Sequence, residues 1–257
     1  MKYGIISLAT LVAYTISFPA TAIVNIENMR VGTPEPGYSG NIDLGISGKS
    51  GNSDKSEIAL DSRLQHYQDK ITDFVVFSYD YGEANNQRNA NATFLHGRHV
   101  VQFQPRRAWE AFVQAEQDEF TRLSLRALAG AGLRFTLAEK QNQIGLYLGV
   151  GAFYSRETLE YRPGLTDHGS ENFGRASFYL SYKHQLNAQV SLASTTYLQP
   201  RLDDGDDYRA LEQASLAVKM SDDLSLKLSL DISHDSQPPQ TVEKTDVSYM
   251  TGVSYRF

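Results

Sequence analysis

Apolar and polar side chains alternate along most of the chain, from about residue 38 to residue 257. The alternation is strictest where apolar residues occupy every second position among Ser, Lys and Asp, at Leu224, Leu226, Leu228, Leu230 and Ile232. A repeat of two predicts a β-strand with one apolar and one polar face. A second stretch, from Leu123 to Leu137, keeps one phase for longer than a typical strand of a globular protein.

The same alternation predicts twelve strands. They cover residues 38–48, 56–67, 71–82, 88–102, 107–118, 120–137, 142–157, 171–185, 188–200, 208–220, 223–235 and 244–257. Connections at one end are short and those at the other end are mostly longer, except for the turn near Asp118, a pattern typical of outer-membrane barrels. A soluble β-sandwich also alternates, but its strands are shorter and its apolar faces point inward. We therefore predict an all-β fold, a single antiparallel transmembrane β-barrel of about 12 strands.

The first residues have the composition of an export signal. Lys2 precedes an apolar run of about 15 residues, and Ala20 and Ala22 form an A-x-A cleavage pattern. The alternative is a membrane anchor, but the run is shorter than the roughly 20 residues that span a bilayer as a helix. We predict a cleaved signal peptide at 1–22, a periplasmic segment at 23–37 and the barrel at 38–257, in the bacterial outer membrane.

The composition narrows the set of functions. A net charge of -6 argues against nucleic acid as a partner. The absence of cysteine removes thiolate metal sites and cysteine nucleophiles. We expect no cofactor, no metal site and no enzymatic activity, and a monomer that contacts outer-membrane lipid and lipopolysaccharide.

Charged residues occupy the polar face of the central strands, which points into the barrel if the apolar face meets lipid. The candidates for the lumen are Glu110, Glu116, Asp118, Arg122, Arg126 and Arg134. We expect Arg122 to face Glu116 and Asp118 across a short hairpin, with Arg126 as a further partner. Opposite charges at this spacing favour internal ion pairs. The alternative is a constriction whose basic residues attract an anionic solute.

An acidic segment between two predicted strands is a second candidate site. The sequence RLDDGDDYR places four carboxylates around a glycine, at Asp203, Asp204, Asp206 and Asp207. Several carboxylate oxygens and a glycine suit calcium, although the spacing differs from that of the twelve-residue calcium loop. This segment has two interpretations. One is a cation site that bridges to lipopolysaccharide phosphates, and the other is a solvated acidic loop tip.

Two further functions remain open from the sequence. A barrel-embedded, lipid-modifying hydrolase needs a serine with a histidine base nearby, and Ser233, His234 and Ser236 lie together in the chain. Their flanking residues do not resemble the phospholipase motif. The other alternative is a receptor or adhesin that acts through its long loops, above all residues 158–168.

The last strand and two hairpins carry a family resemblance. The strand ending in VSYRF, with Tyr255 and Phe257 in the lipid-facing phase, resembles the signal that the barrel assembly machinery reads. The segments GISGKSGNSDKSEIALDSRLQHY and AEQDEFTRLSLRALAGAGLRFTL resemble the first and central hairpins of the salt-induced outer membrane proteins. The resemblance covers the chain from about Gly40 to Phe257. It implies an outer-membrane location, a barrel fold and a link to salt stress, and it implies no catalytic residues. Our hypothesis for the function is a structural or adaptive role in the envelope, which includes a narrow channel for ions or small solutes.

Overall fold

The structure, a computed structural model, describes residues 36–49, 55–140 and 143–257. Most of these residues belong to twelve β-strands. They are β1 (Gly37–Lys49), β2 (Lys55–Gln68), β3 (Ile71–Ala84), β4 (Gln87–Gln104), β5 (Arg107–Asp118), β6 (Leu123–Lys140), β7 (Ile144–Leu159), β8 (Gly169–Gln185), β9 (Val190–Pro200), β10 (Tyr208–Lys219), β11 (Leu224–Asp235) and β12 (Thr245–Arg256). The predicted signal peptide, 1–22, and most of the predicted segment 23–37 lie outside the described residues. Within those residues, no helix is long and apolar enough to cross a bilayer.

The strands form one closed, antiparallel sheet in which each strand pairs with its neighbours in sequence, and β1 pairs with β12. The closing pair runs in register over residues 41–44 opposite 253–256. Two backbone hydrogen bonds between Gly40 and Phe257, at 3.0 and 3.1 Å, extend it. Closure pairs edge groups that hydrocarbon would leave unsatisfied. The predicted twelve-stranded antiparallel barrel is thus confirmed.

Alternate residues separate the outer face of the barrel from its interior. Large apolar side chains are exposed on the outside, such as Ile42 and Leu44 of β1, while the charged residue between them, Asp43, is buried. Tyr255 and Phe257 are also exposed, and their rings stack with centroids 6.3 Å apart. The outer face therefore has the apolar and aromatic surface that a bilayer requires.

The two ends of the barrel differ in their connections. At the short-turn end, the connections that the structure describes in full are residues 69–70, 105–106, 186–189 and 220–223. At the other end, here called the long-loop end, three long connections are residues 160–168, 201–207 and 236–244. The β3–β4 connection at this end is shorter than predicted, because Asn85 and Asn86 alone form the turn, with φ angles of 51° and 59°. Two adjacent left-handed residues are typical of a type I′ hairpin.

The start of β6 also differs from the prediction. β6 begins at Leu123 instead of residue 120, because residues 119–122 form the turn after β5. Arg122 has a φ angle of 60°, which lies outside the extended region that a strand requires. Arg122 therefore belongs to the turn and not to the strand in which the sequence placed it.

Glycines on β6 and β7 make room for side chains that lie flat against the inner wall. A Cβ atom added at Gly149 would lie 1.9 Å from Cε1 of Tyr179, and one added at Gly130 would lie 2.5 Å from Cζ of Phe112. Phe112 and Phe153 meet edge to face, with ring centroids 6.5 Å apart. His96 of β4 stacks on Phe112, and Tyr197 of β9 contacts the ring of Tyr179. These side chains together cover the inner face of β4–β9, which we call the covered wall.

Gly149→Ala should destabilise the folded barrel. The added methyl group would overlap the ring of Tyr179, and overpacking of this kind costs about 1–3 kcal/mol. The urea midpoint of the barrel refolded in lipid vesicles measures the effect. Gly97→Ala is the matched control, because its Cβ would meet Cγ2 of Val113 at an ordinary contact distance of 3.6 Å. Equal midpoints for the two variants would show that Tyr179 does not rest on Gly149.

Candidate functional site: the barrel interior and its long-loop mouth

Arginine and carboxylate side chains form an ion-pair network in the half of the interior nearer the long-loop end. Arg126 donates to both carboxylate oxygens of Glu157, at 2.7 and 3.1 Å, and forms an ion pair with Glu116. Arg209 donates to the same two oxygens of Glu157, at 2.7 and 3.0 Å, and to Asp235 at 2.9 Å. Because β7 and β10 are not neighbours in the sheet, this network crosses the interior.

A second network lies further from the long-loop end, on the covered wall. Arg98 donates to Oε2 of Glu110 at 2.9 Å, and the hydroxyl of Tyr179 donates to the same oxygen at 3.0 Å. Arg134 donates to that hydroxyl at 3.3 Å and lies over the ring of Tyr147, 4.1 Å from its centroid. The five side chains come from five consecutive strands, β4 to β8, and bind them together on the inside.

The lumen residues predicted from the sequence occupy different places in the structure. Those buried in the two networks are Glu110, Glu116, Arg126 and Arg134. Asp118 is buried at the end of β5, where its carboxylate accepts from the backbone of Phe120 at 2.9 Å and from the hydroxyl of Thr121 at 2.7 Å. Breaking a buried ion pair leaves an uncompensated charge and costs about 3–5 kcal/mol. The contacts of the arginines in both networks therefore stabilise the fold of the barrel.

Another part of the interior carries carboxylates among small side chains. We call it the acidic face, and its carboxylates are Asp43 of β1, Asp61 of β2, Asp80 of β3 and Asp231 of β11. Asp43 lies directly opposite Asp61 in the β1–β2 register, and Asp61 and Asp231 both act electrostatically on Asp80. Mostly small residues lie between these positions on the same inner side, at Ser78, Ser229, Ser248, Gly252 and Ser254, together with Met250. Like charges directly opposite each other destabilise a sheet, so this face needs a counter-charge.

Lys227 supplies a counter-charge to the acidic face. Its ammonium forms an ion pair with Asp43 on the far side of β12 and acts electrostatically on Asp61 and Asp231. Asp43 also accepts from the hydroxyl of Ser254 at 2.5 Å. These contacts join β1 to β11 and β12 beside the closing pair of strands. The ammonium acts on three of the four carboxylates, so by formal charge the carboxylates of this face outnumber their cation.

A second cation, Arg63 of β2, lies two residues from Asp61. Its guanidinium lies over the ring of Phe74, 4.0 Å from the centroid, and donates to Gln65 at 3.0 Å. The carboxylates of the acidic face therefore remain in excess even when Arg63 is counted with Lys227.

Arg122 connects the β5–β6 turn to two loops at the long-loop end. It is fully buried, with 0% of its surface exposed. Its guanidinium donates to Oδ1 of Asp167 at 2.8 Å and to the carbonyl oxygens of Glu160 and Asp167, each at 3.1 Å. It also donates to the carbonyl oxygen of Gln240 at 3.0 Å. Arg122 thus binds the β7–β8 and β11–β12 loops and does not form the hairpin ion pairs that the sequence predicted, because its left-handed turn conformation takes it out of the strand.

The β7–β8 and β11–β12 loops also bind each other through Asp167. Its second oxygen, Oδ2, accepts from the backbone nitrogen of Gln240 at 2.5 Å. The side chain of Gln240 exchanges two hydrogen bonds with Thr166, both at 3.2 Å. Desolvation alone would raise the pKa of Asp167, but the hydrogen bonds from Arg122 and from the backbone of Gln240 lower it below the ordinary value of 3.8. The carboxylate is therefore ionised at neutral pH.

These contacts carry the β11–β12 loop across the long-loop mouth. The β5–β6 turn and the β11–β12 loop lie on opposite sides of the ring, with six strands between them in either direction. Beneath the loop is a small cavity of about 50 Å³. Its lining includes Arg126, Glu157 and Arg209 of the network and Pro238 and Val242 of the loop. Residues 236–244 therefore lie over the ion-pair network.

The segment considered for cation binding lies in the β9–β10 loop. Its carboxylates are Asp203, Asp204, Asp206 and Asp207. Asp203 accepts from Arg201 at 2.7 Å, and this hydrogen bond lowers its pKa. Asp207 accepts from the buried Arg175 at 2.6 Å. Two of the four carboxylates are therefore matched by guanidinium groups of the protein.

The serine and histidine residues considered for a hydrolase make separate contacts. Ser233 is buried inside the barrel. His234, the next residue on β11, binds the hydroxyl of Thr245 at 2.8 Å. Ser236 lies in the β11–β12 loop and donates to the carbonyl oxygen of Asp206 at 2.8 Å. His234 is therefore hydrogen-bonded to neither serine.

The contacts at the mouth have no signal in the local sequence. Arg122 bonds to residues 45 and 118 positions further along the chain. The acidic face has a weak signal, since Asp43 and Asp61 occupy the polar phase of adjacent strands. Their direct opposition depends on the β1–β2 register, and their closeness to Lys227 depends on closure of the barrel.

The chain is similar to solved outer-membrane barrels. The NanC porin is 13% identical, with 85% of this chain and 100% of that chain covered and a TM-score of 0.50. The KdgM porin is 11% identical, with 86% of this chain and 99% of that chain covered and a TM-score of 0.44. At this identity the similarity to the NanC porin shows the fold alone, which is that of an outer-membrane β-barrel. No curated protein matches the chain.

A family model also matches most of the chain. It is described as "Protein of unknown function, DUF481", and it covers residues 42–257. The match begins within β1 and extends through β12, so it includes both networks, the acidic face and the long-loop mouth. The chain therefore belongs to the DUF481 family.

Proposed function

We propose that the barrel forms a narrow outer-membrane channel that favours cations over anions. The observation that carries the proposal is the acidic face, whose four carboxylates outnumber the ammonium of Lys227 that acts on three of them. A negatively charged surface within low-dielectric walls concentrates cations and repels anions. The serine and glycine residues of this face, with Met250 among them, also fill less of the interior than the aromatic and arginine side chains of the covered wall.

One alternative from the sequence was a constriction whose basic residues attract an anionic solute. The proposed channel has the opposite preference. Attraction of an anionic solute requires guanidinium groups whose charge is not already matched. Arg126 and Arg209 are both bonded to Glu157, and Arg98 is bonded to Glu110. A charge with an opposite charge one hydrogen bond away contributes little field at a distance. The carboxylates of the acidic face, by contrast, outnumber the cation that acts on them.

An outer-membrane location and an envelope role belong to the same proposal. The barrel fold, the exposed apolar outer face and the resemblance to salt-induced outer membrane proteins support them. A channel that selects ions by charge suits an adaptive role under ionic stress. The expected partners are lipid and lipopolysaccharide around the wall, and the barrel assembly machinery at the strand that carries Tyr255 and Phe257.

Asp231→Asn should weaken the cation preference. A unit charge about 8 Å from a passing ion contributes about 0.5 kcal/mol in water, which is about a twofold change in partition. The reversal potential of single channels in a planar bilayer, under a gradient of potassium chloride, measures the preference. Asp69→Asn is the matched control, because it removes a carboxylate from an exposed turn whose φ angle of 56° suits asparagine.

Three results of this experiment would contradict the proposal. They are anion preference in the unmodified protein, equal shifts for Asp231→Asn and Asp69→Asn, and a correctly folded barrel that conducts no ions. Folding is checked in each case by the slower migration of the unheated barrel in detergent gels.

Lys227→Gln should strengthen the cation preference by about the same factor, about twofold. The amide of glutamine can still donate to Asp43, but the positive charge that offsets the acidic face is gone. Reversal potentials measured in the same way give the result, and the urea midpoint shows whether the closing pair of strands survives. A fall in cation preference would mean that ions do not pass along the acidic face.

A further inference from the structure

We propose that the β11–β12 loop, residues 236–244, is a lid that closes the long-loop mouth, and that Arg122 and Asp167 form the clamp that holds it shut. The inference rests on the proposed channel function, since it concerns the regulation of the same pore. It is carried by the contacts that join the lid to the opposite side of the barrel ring.

Asp167 bonds both to Arg122 and to the lid. One carboxylate oxygen accepts from Arg122, and the other accepts from the backbone nitrogen of Gln240. Arg122 completes a triangle by donating to the carbonyl oxygen of Gln240. Because Gln240 takes part in these contacts through its main chain, another side chain at position 240 keeps them.

The position of the clamp allows release without unfolding of the wall. Arg122 is fully buried, whereas the side chain of its partner Asp167 is 27% exposed. Arg122, Asp167 and Gln240 all belong to a turn or a loop. When the lid separates from the clamp, the hydrogen bonds between strands therefore stay in place. Water at the exposed side of Asp167 can replace the contacts that the lid gives up.

The base of the lid has separate attachments. Ser236 donates to the carbonyl oxygen of Asp206 and accepts from the backbone nitrogen of Tyr208, both at 2.8 Å. Asp235 donates its backbone N–H to the carbonyl oxygen of Lys244 at 2.9 Å. Release of the clamp therefore frees the middle of the lid while both of its ends stay fixed to the barrel.

The closed lid lies on the route to the acidic face. It covers the cavity above Arg126, Glu157 and Arg209, and it continues from β11, the strand that carries Asp231. An ion that enters from the long-loop end meets the lid before it meets these carboxylates. The clamp therefore sets the fraction of time for which the channel is open.

The cysteine-free chain allows a direct test with the double variant Thr166→Cys, Gln240→Cys. The two native side chains are hydrogen-bonded, so a short, reducible bifunctional thiol reagent can join the cysteines when the lid is shut. Cross-linking should abolish single-channel openings in a planar bilayer, and reduction should restore them. Asp167→Asn in this background should slow cross-linking and raise the ratio of open to closed time by about tenfold, as expected for loss of a charge-assisted hydrogen bond.

Glu160→Gln is the matched control for Asp167→Asn. It removes a carboxylate from the same loop, but that carboxylate bonds to Arg162 at 3.0 Å, and the carbonyl oxygen that Arg122 uses is retained. Equal cross-linking rates for the two variants, or openings that persist after cross-linking, would overturn the lid and leave the channel standing. Cross-linking that depends on Asp167 in a barrel that never conducts would overturn the channel and support the clamp.

Discussion

Backbone hydrogen bonding in hydrocarbon requires a sheet with no open edge, and the architecture of this barrel depends on that requirement. Once β1 and β12 are paired, every strand has an inside and an outside, and the alternation of the sequence assigns each residue to one of them. Closure also brings together residues from the two ends of the barrel sequence. The pairing of Asp43 with Lys227 and Ser254 exists because β1, β11 and β12 are adjacent in the closed ring.

The closed interior holds its charges in two different ways. In the arginine networks each guanidinium is bonded to a carboxylate or a hydroxyl, in places across strands that are not neighbours, as between Arg209 and Glu157. These contacts stabilise one arrangement of the wall and contribute little net field. On the acidic face, by contrast, carboxylates share few cations among small side chains. The same composition of Asp, Glu, Lys and Arg thus produces a rigid, nearly neutral wall and a negative surface within one barrel.

Much of this fold was predictable because a two-residue period is a local property. The twelve strands and their phases follow from it, and most strand boundaries agree within a few residues. The errors occur where backbone geometry overrides the pattern, at the two-asparagine turn after β3 and at Arg122. Burial of Glu116 and Arg126 also follows from their phase. The role of Arg122 does not, because its partners lie in distant loops whose positions depend on the completed ring.

The turn that holds Arg122 places two physical preferences in opposition at one residue. A φ angle of 60° favours glycine and costs other residues about 1–2 kcal/mol, while the contacts to both loops require a guanidinium. The chain retains the strained backbone and keeps the side chain. A glycine at position 122 would relax the turn but would lose the contacts to both loops. Relief of backbone strain and closure of the mouth therefore require different residues at this position.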